Sequence, residues 1–434
     1  MRPAAAFDLR TFCGPGTRTA GERCRRCVHS PPDAGRDIGG ASGLRSALGS
    51  TFRRGAVAKR LEDALGDLPR LKRLIQTSEF DLVVAASPEN VLYTSDVFIS
   101  TQVDIRDRLA LVVWDGVREP VFILCRVEEG FAREEGWITD IRAYKEFVTS
   151  PVDMLAEVID ELGASRGHVG LELDYLPAIY YERLRALLPN ARFGRAEPVF
   201  DRARVIKTPR ERDRLAEGFR GTERALKEAF LATRPGDTER DMCFRLADGI
   251  LRHGAESVAF THINGGPNTG FPHKDPSDYR VKRGDILKAD AGGRYGRYYS
   301  NVGRTAKLGP LNDEDRSWWS RLREIHHELI DMVRPGNTGR QLFERATALH
   351  ERHGIPFPYA HNGHGLGLLV HERPLISPHE DMAFEAGMMS TIETRVRWVG
   401  KCGYHMEDLL EVTEGSPVLR SDYFDNEEIL VVDA

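Results

Sequence analysis

The chain has 434 residues, too many for one compact core, so two domains or more are expected. Apolar residues make up 41% and charged residues 29%, with both signs interspersed and a net charge of −5, which excludes the basic footprint of a nucleic-acid or anionic-membrane binder. No apolar run approaches the roughly 18 residues of a membrane helix, and no apolar segment follows Met1-Arg2-Pro3 as a secretory signal would, so no membrane partner and a cytoplasmic location are expected.

Residues 1–55 are rich in Arg, Gly, Pro, Ser and Ala without hydrophobic period, and are expected to be a disordered leader. The six cysteines are scattered: Cys13, Cys24, Cys27, Cys125, Cys243 and Cys402. That is no disulfide framework and suits a reducing compartment. Cys24 and Cys27 with His29 have the spacing of half a zinc site, but no second pair completes it.

A first domain is expected over 56–203. Leu61, Leu65, Leu68 and Leu71 mark one face of a helix over 60–78, and residues 81–85 read as a strand. Two apolar runs, 108–114 and 120–125, flank Asp115-Gly116 and suggest a hairpin. A helix over 150–162, a strand over 168–173 and a helix over 177–188 follow, which together indicate an α/β sandwich. A second domain is expected over 204–434. Thr208-Pro209-Arg210-Glu211 is a helix start, with Thr as N-cap, Pro in the first turn and Glu three residues after the cap. Leu215, Phe219, Leu226 and Phe230 mark the buried face; Pro235-Gly236 ends the helix and Thr238 opens the next. From Ser257 onward, Gly-punctuated β-like segments alternate with helices expected over 312–333 and 338–354.

The common catalytic signatures are absent: no phosphate-binding Walker loop, no His-Glu-x-x-His, no Gly-x-Ser-x-Gly elbow. Gly363-His-Gly365-Leu-Gly367 lacks the strand–turn–helix setting and the later acid of a dinucleotide loop. What stands out is a series of polar motifs embedded in β-like sequence. These are Asp290-Ala-Gly-Gly293, Tyr298-Tyr-Ser-Asn301 with Arg304-Thr305, His361-Asn-Gly-His364 with His371-Glu372, Ser390-Thr-Ile-Glu393, and His405-Met-Glu407-Asp408. Burying a lone carboxylate costs several kcal/mol unless a cation or donors compensate. Several such acids with several histidines therefore read as one metal or acid–base site.

The order and spacing of these motifs resemble the creatinase/aminopeptidase-P/prolidase ("pita-bread", M24) superfamily. The resemblance extends to Ile206-Lys-Thr-Pro209, to Arg234-Pro-Gly-Asp-Thr-Glu239 and to Gly266-Pro-Asn268 with Pro272-His273, and spans roughly residues 58–420. It implies an α/β creatinase-like N-terminal domain and an α+β pita-bread catalytic domain. It places the metal ligands at Asp290, Asn301, His364, Glu393 and Glu407, with one or two divalent ions (Mn, Co, Fe or Zn). His273 and His371 fall on histidines that contact the substrate carbonyl or tetrahedral intermediate, His361 on one that lines the pocket, and Glu393 on a ligand that also serves as general base. The resemblance also implies a homodimer and a short-peptide or small-molecule substrate.

Two positions depart from the pattern. Asn301 stands where the metallopeptidases have a bridging Asp; a neutral amide cannot offer an anionic oxygen to each of two ions, so weaker binding of the second ion, a single ion or none is expected. His405 stands where many relatives have Arg, two residues ahead of the last glutamate, and is expected to contact substrate instead. Arg395 and Arg397 are candidate replacements for that arginine but read first as surface residues, and His262 reads first as a hydrogen-bonded structural histidine. The reading that follows is a hydrolase similar to Xaa-Pro dipeptidases and aminopeptidases, using metal-activated water. The alternative is a metal-poor or metal-independent hydrolase or lyase of a small metabolite, in the manner of creatinase, ectoine hydrolase or dimethylsulfoniopropionate lyase. A second alternative is a non-catalytic binding protein.

Overall fold

A computed structural model describes residues 64–105 and 107–433. The expected leader, the Cys24/Cys27/His29 group and Leu61 lie outside the described residues.

Six strands form the first sheet: β1 (Leu82–Ala85), β2 (Leu111–Trp114), β3 (Val121–Cys125), β4 (Asp140–Tyr144), β5 (His168–Leu171) and β6 (Arg192–Arg195), in the order β4-β3-β2-β1-β5-β6. β2 and β3 are the antiparallel pair joined through Asp115-Gly116; β3–β4, β1–β5 and β5–β6 run parallel. β1 and β2 are buried along their whole length, so they read as continuous apolar runs. Helices Pro151–Glu161 and Ala178–Leu187 cover one face, burying Leu155, Ile159 and Leu184. The first helix is shorter than its periodicity suggests. It begins at Leu68, where Asp67 caps the Arg70 N–H and Pro69 sits in the first turn, while Leu65 is buried ahead of it.

The second half opens as the capping signals require. Thr208 and Glu211 exchange both bonds of a capping box ahead of helix Pro209–Ala232, and Thr238 does the same with Asp241 ahead of Glu239–Arg252. Two five-stranded sheets follow. One has the path β16-β10-β8-β7, built from β7 (Ser257–Gly265), β8 (Ile286–Tyr295), β10 (Val302–Leu308) and β16 (Leu430–Val432), with β9 (Tyr298–Tyr299) on β8. The other has the order β12-β11-β13-β14-β15, from β11 (His364–Gly365), β12 (Glu372–Leu375), β13 (Met389–Trp398), β14 (Cys402–Glu411) and β15 (Val418–Leu419). Helices Asp313–Asp331 and Gly339–Arg352 pack with the second sheet over Leu322, Ile325, Leu342, Ile392 and Met406.

The two halves meet through buried charge. Glu172 accepts from the Ala86 and Ser87 N–H groups and from Asn90, whose carbonyl oxygen accepts from Arg204 at 2.9 Å. Arg204 and Lys207 both face Glu372, at 3.7 and 3.0 Å. Glu372 also accepts from the Leu368 and Leu369 N–H groups, which fixes the loop leading to His371.

Candidate active site

Strand alternation sends the functional side chains to one place. On β8, Leu287, Ala289 and Ala291 enter the apolar core, which turns Asp290 the other way. On β13 and β14, Ile392, Val396, Tyr404 and Met406 face the helices, which leaves Glu393 and Glu407 on the opposite face. The register sets Glu393 directly across from Glu407. β10 lies against them: a Cβ added at Gly303 would stand 2.7 Å from His405 Cε1 and 2.9 Å from Glu407 Cβ, so only glycine permits the approach. Gly303 pairs with Asp290, and Asn301 lies immediately before the strand.

His364, Glu393 and Glu407 each offer one ligand atom, and these atoms lie within 4.8 Å of one another. The His364 Nδ1–H donates to the Gly365 carbonyl at 3.0 Å. Its Nε2 lone pair therefore points inward, 3.5 Å from Glu393 Oε1 and 3.6 Å from Glu407 Oε1. Burial, with His371 adding to it, holds the His364 ring down at about 4, so it is neutral at pH 7. Two facing carboxylates in a dry site cannot both stay ionised without cations. Burial together with Glu393 and Asp290 pushes the Glu407 carboxyl well above the carboxylate range. Burial acts the same way on Glu393, but the Arg395 guanidinium bonded to its Oε2, together with the His405 and His364 rings, outweighs burial and holds the group well below that range.

Asn301 donates from Nδ2 to Glu407 Oε1 at 2.9 Å and faces His364 Nε2 at 3.3 Å. The amide thus satisfies part of the demand for positive charge. Asp290 Oδ1, Asn301 Oδ1 and Glu407 Oε2 are buried and unpartnered. One imidazole nitrogen, two carboxylates and these unpartnered oxygens fit a divalent first-row cation.

A cavity of about 370 Å³ opens beside this group, with Asp290, Asn301 and Glu393 at its floor. His262, His273, His361 and His371 form its walls. His371 stacks on His364 with centroids 4.0 Å apart and lies 5.4 Å from His361; His273 Nε2 is 3.8 Å from Asp290 Oδ2. Of the positions named from sequence, His364, Glu393 and Glu407 lie together, Asn301 bonds to Glu407, and Asp290 lines the same cavity as His273, His361 and His371. His405 lies behind the cavity wall. It is fully buried, 3.8 Å from Glu393 Oε2, with both ring nitrogens unpartnered, and burial holds its ring at about 4.

Three expectations need correction. His405, expected to contact substrate, is fully buried and is not among the residues that line the cavity. Arg395 is 4% exposed and belongs to the site, because it shares the inward face of β13 with Glu393 two residues away. His262 lines the cavity and its Nδ1 has no partner, so it is not a hydrogen-bonded structural residue. Sequence reading also missed the buried support. Arg304 donates to Glu223, Asp408 and the Glu407 carbonyl, and Asp408 in turn accepts from Ser421 and Asn426 and pairs with His326. Period-two alternation along 389–398 was the signal for Arg395; the Arg304 network has no local signal.

Comparison with known proteins bears on the family and the fold. Residues 213–414 match metallopeptidase family M24, and residues 68–206 match the creatinase/prolidase N-terminal domain. The Xaa-Pro dipeptidase of Lactobacillus helveticus is 28% identical over 360 residues, 80% of this chain and 94% of that protein. Among solved structures, dipeptidase PepE from Mycobacterium ulcerans superimposes with a TM-score of 0.74 at 27% identity, covering 84% of this chain and 98% of that one. The prolidase from Pyrococcus furiosus gives 0.70 at 25% identity, covering 81% and 99%. With both halves matched in order, and with the creatinase-like and pita-bread domains in place, the chain belongs to metallopeptidase family M24.

Proposed function

We propose that this enzyme is an Xaa-Pro dipeptidase-type hydrolase that cleaves the C–N bond of a short peptide, with one divalent ion held by His364, Glu393 and Glu407. The observation that carries it is the convergence of those three ligand atoms within 4.8 Å of one another, with Glu393 among them lining the cavity. Relatives named Xaa-Pro dipeptidase align over four-fifths of the chain, which supports the substrate class. Manganese, cobalt, iron and zinc all suit such a mixed nitrogen–oxygen set. A cytoplasmic homodimer is part of the same proposal.

When bound, the ion supplies Lewis acidity, lowering the pKa of water to about 7. The protein does the rest. Glu393, kept ionised by Arg395, is the general base for water. His273 and His371 are both exposed at the cavity mouth and reach inward, where they donate to the oxyanion that forms on the scissile carbonyl. An Xaa-Pro nitrogen carries no hydrogen, so it must be protonated as it leaves. Glu393, having taken the water proton, lies in the same cavity to return it.

Elemental analysis of purified protein with an Ala-Pro cleavage assay tests this reading. About one equivalent of metal is expected, with turnover lost on chelation and in His364→Ala and Glu407→Gln. Turnover that persists after complete chelation refutes it.

A further inference from the structure

The His273 side chain is 67% exposed, and its Nε2 stands 3.8 Å from Asp290 Oδ2, beyond hydrogen-bond length. The His262 ring lies 5.2 Å from it, centroid to centroid. The ring is therefore aimed by its backbone rather than by a bonded partner. That backbone belongs to the segment between β7 and β8, residues 266–285. Glu239, buried in the first turn of its helix, holds both flanks of the loop around His273. It accepts from the Gly265 and Ser277 N–H groups at 2.9 Å each, from Asn268 at 3.0 Å and from the Ser277 hydroxyl at 2.6 Å. Between those flanks, Pro272 has no N–H to offer. The carbonyls of Phe271 and Pro272 are held instead by one side chain, Lys288, whose Nζ donates to them at 2.5 and 2.9 Å. Lys288 is fully buried. It lies two residues before Asp290 on β8, so both side chains leave the strand on the same face.

Burying an amine or an ammonium group is costly unless its hydrogens find acceptors. Methionine would fill a similar length of space without that demand. What lysine adds is a hydrogen for each of two successive carbonyls, whether or not it carries its third proton. It thereby ties the dipeptide that precedes His273 to the strand that carries Asp290. We propose that Lys288 is a positioning residue: by gripping the Phe271 and Pro272 carbonyls it fixes the His273 ring where the oxyanion forms. Lys288 is not among the residues that line the cavity, so it acts through His273 and not on the substrate. The grip matters because a reacting or donating group misplaced by about 1 Å costs about 100-fold in rate. For the role of His273 this inference rests on the peptidase reading, from which the test below separates it.

Full-length, metal-loaded Lys288→Met is assayed on Ala-Pro beside His273→Ala and the double variant. In Lys288→Met, kcat is expected to fall by about 10- to 100-fold with KM changed by less than about 2-fold, since the misplaced donor acts in the transition state. The double variant should be no slower than His273→Ala, because the lysine acts only through that ring. An unchanged kcat in Lys288→Met, a double variant slowed by the product of the two effects, or a loss of bound metal on elemental analysis overturns the proposal. Lys288→Gln, whose stem is too short to bridge both carbonyls, replaces the methionine variant should that one not fold, with the same results expected. Absence of turnover in the parent refutes the peptidase reading, and hydrogen exchange then decides the positioning alone. Exchange about tenfold faster in the variant and confined to residues 266–277 supports it, the worth of roughly one hydrogen bond; unchanged exchange there overturns it.

Discussion

Replacing Asn301 with Asp isolates what the asparagine does. In the parent, the amide Nδ2 lies 2.9 Å from Glu407 Oε1 and 3.3 Å from His364 Nε2, a donor facing two acceptors. A carboxylate in its place removes that donor. Glu407 holds its proton when no cation is present, so the change costs the Asn301 donor rather than a full charge–charge repulsion, about 1–3 kcal/mol. With roughly 2–4 °C lost per kcal/mol for a domain of this size, the chelated variant should melt roughly 2–12 °C below the chelated parent. Divalent ions should reverse the sign, because the added carboxylate offers an anionic oxygen to each of two ions. The assays are thermal melting with chelator and with manganese, and metal content by elemental analysis. The expected result is a variant less stable than the parent without metal, more responsive to metal, and carrying about one further equivalent. A variant that matches the parent in chelator and in stoichiometry would falsify the view that the amide stands in for part of a cation.

Glu372→Ala leaves Lys207 and Arg204 buried without their carboxylate and should cost about 3–5 kcal/mol in urea unfolding; a loss below about 1 kcal/mol, the scale of an exposed pair, would show that the site is not dry. Gly303→Ala pushes a methyl group into His405 and Glu407, so stability should fall by about 1–3 kcal/mol and metal affinity with it; unchanged metal binding counts against the close approach of β10 to β14. Glu172 gives a pH signature. Burial outweighs its hydrogen bonds and raises it from 4.5 to about 7, so the folded state holds its proton more tightly than the unfolded chain. Its stabilising contribution is complete below pH 4.5 and lost as pH rises through 7, about 3 kcal/mol in all. The unfolding free-energy difference between the parent and Glu172→Gln should shift by that amount between pH 4.5 and 7.5, the parent losing ground; a constant difference refutes it.

Local chemistry made much of this chain legible. Thr208 and Thr238 announce their helices because a capping box needs only residues three apart. The Asp115-Gly116 hairpin follows from turn chemistry in the same way. The proposed ligand positions were named through the order of motifs, and the Asn301 departure through one residue within that order. Other features depended on what meets across space. The 60–78 periodicity could not show that the helix starts at Leu68, because residues ahead of the cap are buried without being helical. Arg395 looked like a surface residue because nothing in its own segment says which face of β13 is the wet one.

The sequence by itself determined most of the elements, the family resemblance and which residues are proposed as ligands, since these rest on short-range spacing and residue chemistry. Only the tertiary structure decided the pairing of Glu393 with Glu407, the guanidinium that divides their protonation, and the clamp from Arg304 to Asp408. Those are contacts between residues far apart in the chain. Their energies depend on burial, which no local segment encodes.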